Sequence, residues 1–314
     1  VDYRASLINS HSKSHIKTQG KFQEISKEVG MSSKPVELEM FLKSKPMWRM
    51  SADTVAAPTD PSAILKTARI TSNPKISQKV EKVYSGTDWK AADALNYLYK
   101  SGFDENSLTR ILSVGAVGLK SNRKLVPTRY SITATDDIIG KHLISTIKNF
   151  DTVDDYTLYF GGYLGNYFAV MLFPEVWSYE LFETLTGYSN YTTDYESYTG
   201  RKYYAKNTAG GFYSTRLATL EHLLKLKRQA NALVLRFITN EYTLPLGVWV
   251  TRESVRKTLE TKPIKFLSKK SMLEYVRSFA KNKFNSDLTH ILQKSLTLKY
   301  LSQQSKLTEF IYKS

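Results

Sequence analysis

Apolar residues along this chain recur with two different periods, and each period marks a kind of element. From Asp88 onward the spacing is helical: Thr87 or Asp88 can serve as N-cap, Leu95, Leu98 and Tyr99 share a face, and Gly102 supplies the stop. A second short helix is predicted over Glu105–Ser113, ending near Gly115. Thr133 or Thr135 is placed to cap a third, in which Ile139, Leu143 and Ile147 return every fourth residue. The longest helical pattern runs over residues 213–238 with Leu217, Leu220, Leu224, Ala230, Leu233, Val234 and Phe237. Aromatic and branched residues dominate 155–160 and 167–173, with Gly161, Gly162 and Gly165 between, which predicts an antiparallel hairpin. Residues 246–250 read as a short strand, Thr251 as the cap of a helix, and Asn285 with Ser286 as the start of another. Residues 1–30 and 58–74 read as irregular or extended chain. The expected fold class is α+β, dominated by helices with a small antiparallel sheet, and no internal repeat is found.

Charge changes this picture because it is unevenly spread. The formal net charge is +16 over 314 residues. Residues 1–200 hold 23 basic against 22 acidic side chains, whereas residues 201–314 hold 22 against 7, so nearly all the excess lies in the last third. Affinity for nucleic acid rises with the number of phosphates neutralised, so the asymmetry points to a DNA or RNA face there; a basic surface that only maintains solubility is the alternative. The candidate cations are Arg216, Lys225, Lys227, Arg228, Arg236, Arg252, Arg256 and Lys257. On a helical projection Lys225, Arg228 and Arg236 share a solvated side with Glu221, while Arg216 and Lys227 fall among leucines. Cations in that position need a carboxylate or phosphate partner, or must reach out of the core.

Residues 149–200 contain no Lys or Arg but eight carboxylates, Asp151, Asp154, Asp155, Glu175, Glu180, Glu183, Asp194 and Glu196, among many aromatics. Such a block must meet solvent, a cation or a basic surface of its own molecule, since unpaired buried carboxylates are costly. The absence of Cys excludes disulfides, thiol catalysis, iron–sulfur clusters and Cys-ligated zinc. No apolar run approaches the roughly 20 residues of a membrane-spanning helix. The expected address is therefore cytoplasmic, with no membrane partner. The chain begins at Val1 rather than at a methionine, which leaves open whether a segment precedes it.

Near the carboxyl end, Gln304, Leu307, Phe310 and Ile311 are spaced so that one tight helical turn would gather the three apolar residues as a plug while Gln304 stays free to hydrogen-bond. The alternative is that Leu298, Leu301, Leu307 and Phe310 complete a core helix. Position near the terminus favours a peptide that threads into a partner. The pattern resembles the interaction box for the replication sliding clamp (PCNA), with Ile311 in place of its second aromatic, a change expected to weaken docking.

A longer resemblance extends over residues 32–311. RKLVPTRYSITATDDIIGK from Arg123, SSKPVELE from Ser32, TSNPKISQKVEKV from Thr71, YLGNYFAV from Tyr163, DYESYTGRKYYAKNTAGGFYSTRLATLEHL from Asp194, KRQANALVLR from Lys227 and PLGVWVTRESVR from Pro245 are similar to the archaeal Nre family of DNA repair proteins. That resemblance implies a clamp-binding protein of the DNA-damage response, nucleoid-associated, with an Nre N-terminal-like region over 1–200, a basic Nre C-terminal-like region over 201–300 and a clamp-binding tail over 301–314. The family's Cys-rich, zinc-finger-like N-terminal segment has no counterpart here, so zinc-dependent DNA recognition does not carry over.

An enzymatic reading is the rival. Asp136 and Asp137 could bind Mg or Mn together with Glu180, Asp194 or Glu196, as two-metal phosphodiester cleavage requires. Acidic residues in a helix's first turn also stabilise its dipole without any ligand. Arg123, Lys124, Arg129, Lys141 and Arg201 could clamp a phosphate beside the Gly210-Gly211 amides; Arg129 could equally pair with Asp136 or Glu180. His142 sits on the apolar side of its helix, and His222 and His290 lack acidic or serine partners at diagnostic spacing, so no histidine is singled out as a catalytic base. Hydrolase triads, Walker-type phosphate loops and a GxGxxG turn are absent.

Overall fold

The computed structural model describes residues 21–46, 63–243 and 246–303. The chain divides into two units, Val1–His142 with Leu244–Val248, and Leu143–Thr243 with Trp249–Ser314.

The first unit carries α1 (Lys21–Met31), β1 (Leu38–Leu42), β2 (Leu65–Ile70), α2 (Gln78–Ser85), α3 (Ala91–Lys100), α4 (Glu105–Ser113), a 3-10 turn at Lys120–Asn122 and most of α5 (Thr128–Ile147). β1 and β2 pair antiparallel as a ribbon. The helix expected at 105–113 forms there because the Asp104 carboxylate accepts from the amides of Asn106 and Ser107. Val80 and Val83 of α2, Leu95 and Leu98 of α3, and Leu108 and Ile111 of α4 are buried in the unit's interior. Residues 21–30, within the stretch 1–30 expected to be irregular or extended, belong to the helix Lys21–Met31, and a Cβ at Gly30 would stand 2.5 Å from Val114, so glycine suits this approach. α5 begins at Thr128, ahead of the expected caps Thr133 and Thr135. The hydroxyls of Ser131 and Thr133 instead donate to the carbonyls of Pro127 and Arg129 one turn earlier, which accommodates such residues inside a helix.

The second unit is built on one sheet of order β6-β5-β7-β4-β3-β8, comprising β3 (Tyr156–Tyr163), β4 (Asn166–Phe173), β5 (Ser178–Leu185), β6 (Tyr191–Glu196), β7 (Asn231–Ile238) and β8 (Ile264–Phe266). The β3–β4 hairpin forms as expected, with Gly165 at φ +72 in its turn. α6 (Ala209–Leu226) and α7 (Trp249–Leu259) cover one face, where Phe212 meets Tyr179, His222 meets Tyr159 and Thr258 meets Gly161. The other face presents Leu158, Met171, Phe173, Phe182, Leu233, Leu235 and Phe237 to α8 (Lys269–Phe284), α9 (Thr289–Lys294) and α10 (Leu296–Gln303). Helices thus cover both faces of the sheet.

The expectation of a small antiparallel sheet is overturned. Among the described residues the main sheet has six strands, and β5 runs parallel to β7. The long helix expected over 213–238 is really α6, a turn and β7. Lys227 at φ +53 ends the helix without a Gly or Pro to announce it. β7 is buried on both faces, so its continuous apolar run has no period to distinguish strand from helix. Likewise residues 246–250 are not a strand, since α7 begins at Trp249 and Thr251 lies within it. Asn285 does not start a helix but closes α8 in the left-handed conformation, φ +50.

Candidate functional site

One dense polar construction in the second unit is the loop between β6 and α6, residues 197–208, together with the first turns of α6. Asp194, buried near the end of β6, organises it. One carboxylate oxygen accepts from Arg201 Nη2 (3.1 Å), and the other from the amides of Asn207 (3.0 Å) and Thr208 (2.8 Å) and the Thr208 hydroxyl (3.0 Å). Arg201 spreads its remaining donors over the carbonyls of Tyr195 (2.6 Å), Tyr203 (3.2 Å) and Tyr204 (3.3 Å). Asn207 Nδ2 donates to the Thr193 carbonyl (2.9 Å), and the Ala205 amide donates to the Tyr213 hydroxyl (2.9 Å). β6 is an edge strand of the sheet, so Arg201 and Asn207 occupy carbonyls of Tyr195 and Thr193 on a strand with a neighbour on one side only. The backbone is fastened from several sides, while Lys202, Tyr203, Tyr204 and Lys206 remain exposed.

Beneath α6 lie two buried ion pairs. Arg216 meets Glu196, and its guanidinium also stands 5.3 Å from the Tyr213 ring centre. Arg236 of β7 donates to Glu183 of β5 (2.6 Å) and to Asn166 Oδ1 of β4 (3.0 Å). The Glu183 carboxylate rests against Gly211, where a Cβ would come within 2.7 Å of it, so a larger residue there would push this charge away from the helix's positive end. The Ser214 and Thr251 hydroxyls, 2.5 Å apart, join α6 to α7.

The chain matches the family models "Archaeal Nre, N-terminal" over residues 1–192 and "Archaeal Nre, C-terminal" over residues 196–310. This chain belongs to the archaeal Nre family. It is 38% identical to a protein of Haloferax volcanii named DNA repair protein NreA, over 82% of this chain and 65% of that one. It is 35% identical to DNA repair protein NreB of Archaeoglobus fulgidus, over 99% of this chain and 79% of the relative, and 39% identical to NreA of the same organism, over 77% and 63%. The chain thus spans slightly less than two thirds of the length of the two NreA proteins. No solved structure matches it.

In this Nre chain the residues singled out from sequence are placed as follows. Arg123 donates to the carbonyls of Val83, Tyr84, Gly86 and Gly118, which makes it a clip between backbone segments of the first unit. Arg129 is exposed against the Tyr130 ring, 4.7 Å from its centre. Asp136 is buried in α5, and Asp137 pairs with Lys141 one turn on (2.7 Å). Glu180 points to the opposite side of the sheet from Glu183. There it accepts from the Ser295 hydroxyl (2.6 Å) and the amides of Leu296 (2.9 Å) and Thr297 (3.0 Å), capping α10. Burial raises its pKa against the lowering effect of those hydrogen bonds. Asp194, Glu196 and Glu183 face the α6 side and are taken up by Arg201, Arg216 and Arg236. Among the described residues no three His, Cys, Asp or Glu side chains gather where they could hold a metal ion.

The basic residues also divide. Arg216, Arg236 and Arg252 are buried, and Arg256 makes a two-pronged pair with Glu221 (2.9 and 2.8 Å) plus a contact to Glu253. Lys225, Lys227 and Lys257 are exposed, the last lying 3.6 Å from the Tyr163 ring centre, and Arg228 is half-exposed, 3.8 Å from Asp154. His222 has its pKa pushed down to about 4 by burial, with Lys225 adding to the effect. His142 is also lowered, by burial and then by Lys100. Gln304, Leu307, Phe310 and Ile311 lie outside the described residues. Sequence reasoning passed over Tyr198, Lys202, Tyr203, Tyr204 and Lys206. Their signal was present in the alternation of basic and aromatic residues in YTGRKYYAK.

Proposed function

We propose that this chain works inside the cell in DNA repair, recruited to the replication sliding clamp by Gln304, Leu307, Phe310 and Ile311 and holding DNA through exposed cations that follow Gly200. Family membership carries the reading: the relatives in both organisms are named DNA repair proteins. Clamp recruitment is supported by the spacing of the four residues and by the body that precedes them. α10, which precedes them in the chain, is held to the sheet by Glu180. DNA binding is supported by the charge left over once the internal pairs are closed. Arg216, Arg236 and Arg256 are neutralised by carboxylates, whereas Lys225, Lys227 and Lys257 stay at the surface.

The decisive experiment for recruitment is a pull-down of the chain with its host's sliding clamp. Replacing Leu307 and Phe310 together with Ala removes two of three plug side chains, and truncation of such anchors costs about 2 kcal/mol or more each. Clamp capture should fall at least tenfold, and unchanged capture refutes the docking assignment.

A further inference from the structure

We propose that the loop 197–208 is a platform for single-stranded DNA, on which unpaired bases stack against Tyr203 and its neighbouring tyrosines while adjacent lysines take the phosphates. This rests on the DNA-binding reading above and gives it a place and a substrate class.

Large aromatic rings are normally withdrawn from water, and a concentration of exposed ones marks a surface with a use. Tyr198, Tyr203 and Tyr204, all within this one loop, are 44%, 81% and 50% exposed. Tyr203 shows the most of the three. Tyr204 lies over Tyr213, ring centres 5.3 Å apart, and Tyr198 carries the Lys148 ammonium 4.2 Å from its centre. Lys202 and Lys206 flank the pair and are exposed. The loop's two carboxylate neighbours, Asp194 and Glu196, are both buried and paired with arginines, so they do not offset this positive surface.

Rigidity is the second part of the case. Arg201 and Asp194 hold the backbone at Tyr195, Tyr203, Tyr204, Asn207 and Thr208. A ring presented by a braced backbone loses little further freedom on binding, which is what a stacking platform needs. Single strands fit this surface and duplexes do not: base faces within a duplex are already stacked, whereas unpaired bases offer a π-face to any aromatic ring. The lysines suit the phosphates, and a stacking contact tolerates any sequence.

The test titrates the full chain against a fluorescein-labelled single-stranded oligodeoxynucleotide, the matching duplex and an RNA of the same sequence, at fixed salt. Base–aromatic stacking is worth about 1–3 kcal/mol per base, so Tyr203→Ala should weaken single-strand binding about 5- to 150-fold and change duplex binding less than twofold. Tyr203→Trp should retain binding, and since the side chain is mostly in water, both variants should fold as the parent does. Lys202→Ala with Lys206→Ala should weaken binding and flatten its dependence on salt. The platform is overturned if Tyr203→Ala leaves single-strand affinity within twofold, or lowers duplex affinity equally. Tighter binding to the RNA overturns DNA as the ligand. Binding of the duplex alone overturns the platform and leaves the broader DNA-binding reading standing, while failure to bind any of the three overturns both.

Discussion

Replacing Asp194 gives the sharpest test of how the β6–α6 loop is held. Its carboxylate accepts four hydrogen bonds, from Arg201, Asn207 and Thr208, between 2.8 and 3.1 Å. Hydrogen bonds to a charged group contribute about 1.5–3 kcal/mol each, but they do not sum here. Arg201 and the Asn207 amide lie near enough to the surface to recover water, whereas Thr208 is buried and its amide and hydroxyl cannot. With those two buried donors left unpaired at about 1–3 kcal/mol each, Asp194→Ala should cost about 2–6 kcal/mol. Asp194→Asn keeps one acceptor for Thr208 but removes the charge and turns an amide donor toward Arg201, and should cost about 2 kcal/mol. Urea denaturation measures both, and hydrogen exchange at the amides of Asn207 and Thr208 locates the loss. A cost below about 1 kcal/mol for Asp194→Ala, with those two amides still protected, would refute the assignment of Asp194 as the organiser of this loop.

Two further outcomes follow from buried groups. His222 titrates near 4 in the fold against an ordinary 6.5, so the unfolded chain binds the extra proton between those values and stability is lost as pH falls through that window. Allowing for its partial exposure, the loss between pH 7 and pH 5 should be about 1–2 kcal/mol, and His222→Leu should reduce the slope of urea midpoint against pH in that range. Glu180→Ala leaves the Leu296 and Thr297 amides without their cap and should cost about 2–3 kcal/mol, seen as faster hydrogen exchange across α10; unchanged exchange there would show that Glu180 does not secure the helix.

Elements governed by neighbours along the chain were legible before the structure. α4 forms over the expected Glu105–Ser113 because what fixes its ends is local: the Asp104 cap that the structure shows is the residue immediately before it. The β3–β4 hairpin could be read because its turn glycine and its paired strands are contiguous. Elsewhere, local signals misled. The β7 strand reads as the continuation of α6 because burial on both faces erases the period by which a strand is recognised. In the same way Thr133 resembles a cap, since a hydroxyl bonding back within a helix and one capping it look identical in sequence.

By itself the amino-acid order determined family membership, the charge imbalance between the two parts of the chain and the requirement that an acidic, aromatic block find cations. Tertiary structure alone decided which cations those are. Glu196 reaches Arg216 across 20 residues, Glu183 reaches Arg236 across 53, and Glu180 caps a helix 115 residues away. A charge count is a sum over positions, but pairing depends on which strands lie side by side and which face each side chain takes. Only the sheet order β6-β5-β7-β4 places Glu183 beside Arg236 and Asn166 and consumes an arginine that composition counts as available for phosphate.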